Sequence, residues 1–221
     1  MPVLNEERAL QVVLPALSAA LRSRTIVVDN GSSDCSVQVA LGWGVRVISE
    51  PQRGYGAACQ AGIRSLAEAR GDDVVLFMDG DASDDAADLP FVVQPILEGK
   101  ADFVIGSRVL GKRERGALAP HARFGNGLAV ALMHRLTGVR YTDLGPLRAI
   151  RMDALRRLRM QDLDYGWTVE MQLKAAQQSL RIREVPVHYR KRIGRSKISG
   201  TLLGSLRAGW TIMRTIARHG R

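Results

Sequence analysis

The stretch "DVVLFMDGDASDD", residues 73–85, joins an apolar, β-branched run to a cluster of acids. The run predicts a buried strand, and the acids follow at the point where that strand should end. A turn there can direct the side chains of Asp79 and Asp81 toward one point, although crowded carboxylates repel one another. A hard cation, Mg²⁺ or Mn²⁺, would cancel that repulsion. The alternative is a helix-capping Asp among solvated turn acids.

Further short apolar runs alternate with helical periodicity around this stretch. The runs are "TIVV" (25–28), "VRVIS" (45–49) and "DFVIGS" (102–107), and helical patterns cover 55–70 and 86–98. Nearly continuous apolar runs are typical of parallel strands that are covered on both faces. Successive βα units therefore predict an open, mostly parallel α/β sheet, which binds ligands beyond the carboxyl ends of its strands.

The second half of the chain has a looser pattern. We expect a loop over 110–120, strands over 146–151 and 181–189, and helices over 121–136, 166–178 and 200–218. Because no repeat or linker interrupts the chain, we expect one domain over 1–221, with halves 1–110 and 111–221. The chain begins where a strand should be ending, so we expect the first βα unit to lack its strand.

Charge is unevenly divided between these halves. Residues 1–110 hold 9 Lys and Arg against 15 Asp and Glu, a net charge of −6, whereas residues 111–221 hold 23 against 7, a net charge of +16. Such a basic half suits binding to an anionic membrane or to a nucleic acid. The alternative is a solvated surface that only keeps the protein soluble. Aromatic residues make up 5% of the chain and no RNA-reading motif appears, so we expect no nucleic-acid partner.

The cysteines and the last predicted helix bear on location. Cys35 and Cys59 lack CxxC spacing, which favours a reducing compartment, and no apolar run reaches the roughly 18–20 residues of a membrane span.

The last predicted helix, over 200–218, has an apolar stripe beside arginines. The stripe is formed by Leu202, Leu203, Leu206, Trp210, Met213 and Ile216, and the arginines are Arg207, Arg214 and Arg218. This pattern suits a helix on an anionic bilayer, or one packed on the domain or a dimer partner. We expect a cytoplasmic protein, peripheral on the cytoplasmic face of the membrane.

Five motifs, in order and at βα-unit spacing, carry a family resemblance. They are "PVLNEE", "VVDNGSSD", "RGYGAACQAG", "FMDGD" and "GSR". This set resembles the family 2 glycosyltransferases, which have a GT-A fold, and the resemblance covers essentially the whole chain. The later segments "DLGPLRAI" and "RIGRSKISGT" resemble the branch that contains dolichyl-phosphate and polyprenyl-phosphate sugar synthases. The resemblance implies an inverting, metal-dependent transfer of a sugar from a nucleotide sugar to a polyprenyl phosphate.

The resemblance assigns residues to the donor side of such a site. The implied nucleotide-sugar-binding residues are Pro2, Leu4, Glu6, Val28, Asp29, Asn30, Arg53, Gly54, Asp79, Gly80 and Asp81. The implied metal ligands are Asp79 and Asp81, which are also assigned to catalysis with Arg108. Many relatives have a second Asp where this chain has Asn30, which leaves base selectivity open. For Arg53 and Gly54, a solvated charge and a plain helix-entry turn are the alternatives.

The resemblance also assigns an acceptor side, made mostly of arginines. The implied phosphate-binding residues are Arg108, Arg123, Arg148, Arg190, Arg192 and Lys197, because a lipid phosphate needs charge-assisted hydrogen bonds. Glu170 is either a general base or a structural acid. A phosphate acceptor is already ionised and needs no base, whereas a hydroxyl acceptor does.

Two other functions stay open from the sequence. One is a family 2 enzyme that glycosylates a sugar or small-molecule hydroxyl, for which Glu170 should be indispensable. The other is an inactive nucleotide-sugar-binding scaffold, against which the presence of both Asp79 and Asp81 argues. A nucleotidyltransferase is disfavoured because no matching Gly-rich signature occurs.

Overall fold

The computed structural model describes residues 1–194 and 202–219, with the backbone alone over 202–208. The strands are β1 (Pro2–Val3), β2 (Ile26–Asp29), β3 (Arg46–Ser49), β4 (Val74–Phe77), β5 (Phe103–Ser107), β6 (Arg148–Arg151) and β7 (Ile182–Pro186). The helices are α1 (Glu7–Ala16), α2 (Ala19–Arg22), α3 (Ser36–Gly42), α4 (Tyr55–Arg64), α5 (Leu89–Leu97), α6 (Pro120–Thr137), α7 (Met152–Leu158), α8 (Trp167–Gln177) and α9 (Leu202–His219).

The strands form two open sheets. In the first sheet the order is β1-β2-β3 and both pairings are parallel. In the second the order is β4-β6-β5-β7, where β5 and β7 are parallel but β6 runs antiparallel to both of its neighbours. The strands predicted from the apolar runs are therefore confirmed. Because β6 inserts between two strands of the first half, position 110 does not divide the fold into separate bodies.

The expectation that the first strand is absent is wrong. Pro2 and Val3 form a short strand, with Pro2 opposite Val28 and Val3 opposite Asp29. The backbone N–H of Val28 donates to the carbonyl of Met1 at 2.9 Å, which extends the pairing. The first βα unit therefore includes a strand of two residues, followed by α1. Alongside it, a cavity of about 1100 Å³ is lined by both β2 and β4.

Helices cover the sheets and bury two main apolar clusters. One lies between α6, α7, α8 and the second sheet, around Trp167, Phe103 and Ile150, and the other lies around α1 and α5, with Leu10 and Val104. Strand β5 is buried along its whole length by this arrangement, as expected for an apolar strand covered on both faces. The polar loops after β2, β4 and β5 consequently emerge at the rims of the sheets.

Helix α6 follows the predicted loop and borders the acceptor half. Pro120 opens it in the first turn, and Gly138 closes it with a left-handed φ of 73°. Phe124 and Leu128, one turn apart, are 75% and 47% exposed. The helix therefore presents apolar side chains to its surroundings as well as to the core.

The described side chains of α9 lie in two environments. Ile216 is buried in the cluster beneath α6 and α8, whereas Trp210 is 71% exposed. Ile216 therefore supports packing of α9 on the domain, whereas Trp210 supports an apolar surface that faces away from it. Within the described ranges, no helix combines the length and apolar character needed to cross a bilayer.

Candidate active site

The acidic loop after β4 is folded on itself by its own carboxylates. Asp81 Oδ1 accepts the N–H of Ser83 at 2.9 Å, and Asp84 Oδ2 accepts the N–H of Asp79 at 3.3 Å. Asp85 accepts the N–H of Ala87 at 3.1 Å and so caps the short 3₁₀ turn before α5. The helix-capping role therefore belongs to Asp85 and not to Asp79 or Asp81.

Two carboxylate oxygens in this loop are buried without a hydrogen-bond partner. They are Oδ1 of Asp79 and Oδ1 of Asp84. Burial, with the nearby charge of Asp81, raises the pKa of Asp79 to about 6. Burial and the charges of Asp79 and Asp81 likewise raise the pKa of Asp84 well above its usual value. Crowded, desolvated and unpartnered carboxylate oxygens fit a hard divalent cation.

The protein supplies only part of a coordination sphere here. Among the side chains in the described ranges, no three of His, Cys, Asp or Glu form a ready-made metal site. Mg²⁺ and Mn²⁺ commonly bind through one or two carboxylates, with substrate phosphates and water as further ligands. The acid set around Asp79 and Asp81 therefore suits a cation that arrives with a phosphate-bearing ligand.

The loop after β2 is held in shape by Asp29 and Asn30. The Asp29 carboxylate accepts the N–H groups of Gly31 and Ser32 at 3.2 and 3.0 Å. Asn30 Nδ2 donates to the carbonyls of Glu50 and Gln52, and its Oδ1 accepts the N–H of Gly54 at 2.9 Å. Because its amide is engaged in these three bonds, Asn30 orders the loop that carries Arg53 and Gly54 instead of presenting a free amide to a base.

Gly54 and Gly56 allow another segment of the protein backbone to approach closely. The resemblance had assigned Gly54 to nucleotide-sugar binding. A Cβ on Gly54, whose φ is +143°, would lie 2.0 Å from the carbonyl oxygen of Leu163, and one on Gly56 would lie 2.2 Å from that of Asp162. The N–H of Ala57 donates to the Leu163 carbonyl at 2.9 Å. These glycines therefore fix the start of α4 against the 162–163 segment.

Glu170 accepts hydrogen bonds from the backbone at the start of the same segment. Its side chain is fully buried and accepts the N–H groups of Gln161 and Asp162, the latter at 2.7 Å, while Lys174 Nζ lies 2.5 Å from its Oε1. A carboxylate with all of these partners has no free oxygen facing a ligand. The contacts favour the structural role of Glu170 over the base.

The remaining donor-side residues lie along the ends of β1, β2 and β4. Pro2 pairs with Val28 across the strands, and Glu6 directly precedes α1. A side chain at Gly80 would meet Val3 Cγ2 at 2.8 Å, so the acidic loop lies against β1. The guanidinium of Arg53 packs over Gly31. Leu4 completes the group in the turn between β1 and α1.

Arg148 occupies a different place from the one expected. It is 1% exposed, and its guanidinium donates to the carbonyls of Thr168, Leu144 and Gly145. It also lies over the Phe103 ring at 5.9 Å. A guanidinium enclosed in this way holds β6 to α8 and is not open to an acceptor phosphate. This position corrects the expectation for Arg148.

The other basic residues of the acceptor side divide into paired and open ones. Arg108 forms a bidentate pair with Asp143, and Arg190 pairs with Asp85. Arg192 Nη1 lies 3.2 Å from Asp81 Oδ2. Arg123 lines a cavity of about 450 Å³ at the start of α6, together with Val109, Arg113, Leu118, Pro120, Phe124, Asn126, Gly127 and Thr142. Lys197 lies outside the described residues.

Sequence reasoning gave little weight to two acids. Asp84 was assigned no role at the site, yet it is 4% exposed and its Oδ2 accepts the N–H of Asp79. Asp143, in "DLGPLRAI", received no role, although it is fully buried and binds Arg108. An acid within an apolar segment of the sequence indicates a buried ion pair, because an ionised side chain is rarely buried without a partner.

Comparison with known proteins identifies the family of this chain. The family model described as Glycosyl transferase family 2 matches residues 1–159. An uncharacterised glycosyltransferase of Mycobacterium tuberculosis is 36% identical over 214 residues, covering 93% of this chain and 91% of that protein. The undecaprenyl-phosphate mannosyltransferase of Micrococcus luteus is 33% identical over 219 residues, covering 92% and 88%.

A solved structure gives the same result for the fold. Glucosyl-3-phosphoglycerate synthase from Mycobacterium tuberculosis, in complex with Mn²⁺ and uridine-diphosphate-glucose, has a TM-score of 0.72 at 25% identity, covering 99% of this chain and 77% of that one. The likeness supports the predicted GT-A fold. With the family match over most of its length, this chain belongs to glycosyl transferase family 2 and is a glycosyltransferase.

Proposed function

We propose that this enzyme transfers a sugar from a nucleotide diphosphate sugar to a polyprenyl phosphate at a membrane surface. The observation that carries the proposal is the cavity at the start of α6, where Arg113 and Arg123 lie beside Val109, Leu118 and Phe124. A polyprenyl phosphate has an anionic head on an apolar chain. A pocket with guanidinium groups and apolar side chains matches both parts of that ligand.

The acceptor cavity adjoins the end of β5. Thr142 lines the cavity, and its Oγ1 lies 2.6 Å from the Oγ of Ser107, the last residue of that strand. Exposed Phe124 and Leu128 continue apolar surface outward from it. These side chains, with the basic half of the chain, support binding at an anionic bilayer, in which Trp210 on α9 is a further contact.

On the donor side, the end of the first sheet and the acidic loop supply the binding groups. Asp79 and Asp81 would hold Mg²⁺ or Mn²⁺, which when bound neutralises charge on the departing diphosphate. Asp29, Asn30 and the loop that carries Arg53 border the space for the nucleoside. Mn²⁺ and a uridine diphosphate sugar in a solved structure of the same fold support this assignment.

The proposed reaction forms one C–O bond and breaks another. An acceptor phosphate oxygen attacks the anomeric carbon from the face opposite the nucleotide, and the bond to the diphosphate breaks with its electron pair on the diphosphate. The transition state has oxocarbenium character. No protein base is needed because a phosphate monoester is ionised near neutral pH. The enclosed position of Glu170 fits this route.

A second candidate is transfer to a small phosphorylated acceptor. The solved relative is named for a phosphoglycerate product, and a cavity with two arginines suits any phosphate. The apolar side chains around the cavity and on α6 favour a lipid. The two candidates therefore differ in what they require of Phe124 and Leu128.

An acceptor panel with one fixed donor tests the proposal. We expect transfer to a polyprenyl phosphate in the presence of Mn²⁺, loss of transfer in EDTA, and loss in Asp79→Asn and Asp81→Asn variants. Phe124→Ser should raise the apparent KM for the lipid phosphate by about tenfold or more and leave the donor KM unchanged. Equal or faster transfer to phosphoglycerate, with no effect of Phe124→Ser, would establish the second candidate.

A further inference from the structure

Residues 188–193, called the strap here, run antiparallel along the acidic loop. The N–H of Arg190 donates to the carbonyl of Ser83 at 2.8 Å, and the N–H of Ile193 donates to that of Asp81 at 2.9 Å. These two bonds set the register between the segments. Because strap residues alternate in direction, His188, Arg190 and Arg192 face the loop together.

Each of these three side chains meets a different acid of the loop. His188 Nδ1 lies 3.0 Å from Asp88 Oδ1, and Arg190 pairs with Asp85. Arg192 Nη1 lies 3.2 Å from Asp81 Oδ2. The first two acids are outside the assigned cation site, whereas the third is one of its two assigned ligands. Of these three strap side chains, Arg192 therefore pairs with an assigned cation ligand and the other two do not.

The Arg192 pair is shielded from solvent on its acidic side. The Asp81 side chain is 7% exposed and that of Arg192 is 30% exposed. The nearby Arg192 charge also offsets part of the repulsion that Asp79 experiences. A guanidinium here offsets part of the charge of the two carboxylates, by the same electrostatics that a divalent cation would use.

We propose that Arg192 is the counter-ion of Asp81 before the donor binds, and that a divalent cation and Arg192 compete for that carboxylate. On binding of a cation with a nucleoside diphosphate, the released guanidinium becomes a hydrogen-bond donor to the diphosphate. Arg192 is then a positioning residue that couples the strap to occupancy of the donor site. The inference rests on the proposed cation site at Asp79 and Asp81.

The coupling has a structural route to the acceptor side. Tyr189 in the strap pairs with the 112–114 segment: its N–H donates to the Lys112 carbonyl, and its own carbonyl accepts the N–H of Glu114, both at 2.9 Å. The Tyr189 ring lies 5.0 Å from the Arg108 guanidinium. Tyr189 therefore links the strap that carries Arg192 to the 112–114 segment, whose Arg113 lines the acceptor cavity.

Mn²⁺ binding, measured by electron paramagnetic resonance without any sugar substrate, tests the proposal. Arg192→Gln should bind Mn²⁺ alone about fivefold more tightly than the native protein, because the competing charge is gone. Arg192→Lys should bind with near-native affinity, since it keeps that charge. Arg190→Gln is the matched control on the same strap and should also be near native.

The second half of the experiment adds uridine diphosphate. In the native protein the nucleotide should tighten Mn²⁺ binding more than it does in Arg192→Gln, which lacks the diphosphate donor. Equal Mn²⁺ affinities for native protein and Arg192→Gln, with binding still abolished by Asp81→Asn, would overturn the inference and leave the cation site intact. If Mn²⁺ binding is indifferent to Asp81→Asn, the cation site and the inference both fail.

Discussion

The Arg108 guanidinium and the Asp143 carboxylate form a two-pronged ion pair beneath the acceptor side. Arg108 Nε lies 2.8 Å from Oδ2 and Nη2 lies 2.7 Å from Oδ1, and the backbone N–H of Arg108 donates to the same Oδ2 at 2.8 Å. Asp143 is fully buried. This pair joins the end of β5 to the segment before β6, so its first role is structural.

Substitution of Arg108 should therefore destabilise the protein. Arg108→Ala leaves the Asp143 carboxylate buried without its partner, which costs about 3 kcal/mol of unfolding free energy. Arg108→Lys keeps the charge but not the fork and should cost less. Urea unfolding measures both, with exposed Arg115→Ala as the control. Unchanged stability with a raised acceptor KM would instead mean that Arg108 serves the acceptor directly.

Glu170→Gln separates a structural acid from a general base. We expect a loss of about 1–3 kcal/mol of stability, because the ion pair with Lys174 and charge-assisted bonds to the 161–162 backbone are weakened. Transfer should persist well below the new melting temperature. Thermal unfolding and initial rates at a low temperature decide the matter. A dead enzyme with a native melting temperature would show that Glu170 is the base and that the acceptor is a hydroxyl.

Asp84 should matter more than its position in the sequence suggests. Asp84→Asn removes a buried carboxylate beside Asp79, so we expect at least a tenfold loss of transfer and weaker Mn²⁺ binding. The metal-free protein should be as stable as the native one or more so, because burial disfavours the ionised Asp84. Asp85→Asn keeps a capping side chain and should leave Mn²⁺ binding near native. Native transfer by Asp84→Asn would exclude Asp84 from the site.

Stability should depend on acid pH through Asp102, far from the candidate site. Hydrogen bonds from Arg181 lower the pKa of Asp102 to about 2, from the usual 3.8 of an aspartate side chain. A lowered carboxyl pKa stabilises the fold above pH 3.8, and this contribution disappears as the pH falls through 2. Asp102→Asn should cost about 1–2 kcal/mol at pH 7.

Chemical unfolding at several pH values tests that dependence. The stability difference between native protein and Asp102→Asn should narrow between pH 4 and pH 2. Glu98→Gln, a change at an exposed partner of Lys100, is a suitable control with little expected effect at pH 7. A difference that stays constant over this range would assign the effect of Asp102 to its neutral hydrogen bonds.

Much of the fold was readable from local patterns. The apolar runs before Asp29 and Asp79 became β2 and β4, and the helical stretch after Asp85 became α5. Periodicity and turn residues decide such elements because neighbouring residues along the chain determine which face is buried. The motif order also placed the acids at a strand end, since parallel strands direct their carboxyl ends to one rim.

The roles of individual charges were decided by distant partners. Arg108 meets an acid 35 positions away. Arg148 is enclosed in the core, whereas Arg123 lines a cavity, although all three were assigned to the same acceptor side. The free energy of a charge depends on its desolvation and its partners, and neither is a local property of the chain.

Local patterns were sufficient to predict the alternation of strands and helices, the family, and the position of Asp79 and Asp81 after a strand. Three further features depend on long-range packing: β6 runs antiparallel between β4 and β5, Gly54 packs against the backbone of residue 163, and Arg192 pairs with Asp81. Each of these depends on segments that are distant in sequence and come together through burial of the shared core, which local patterns do not encode.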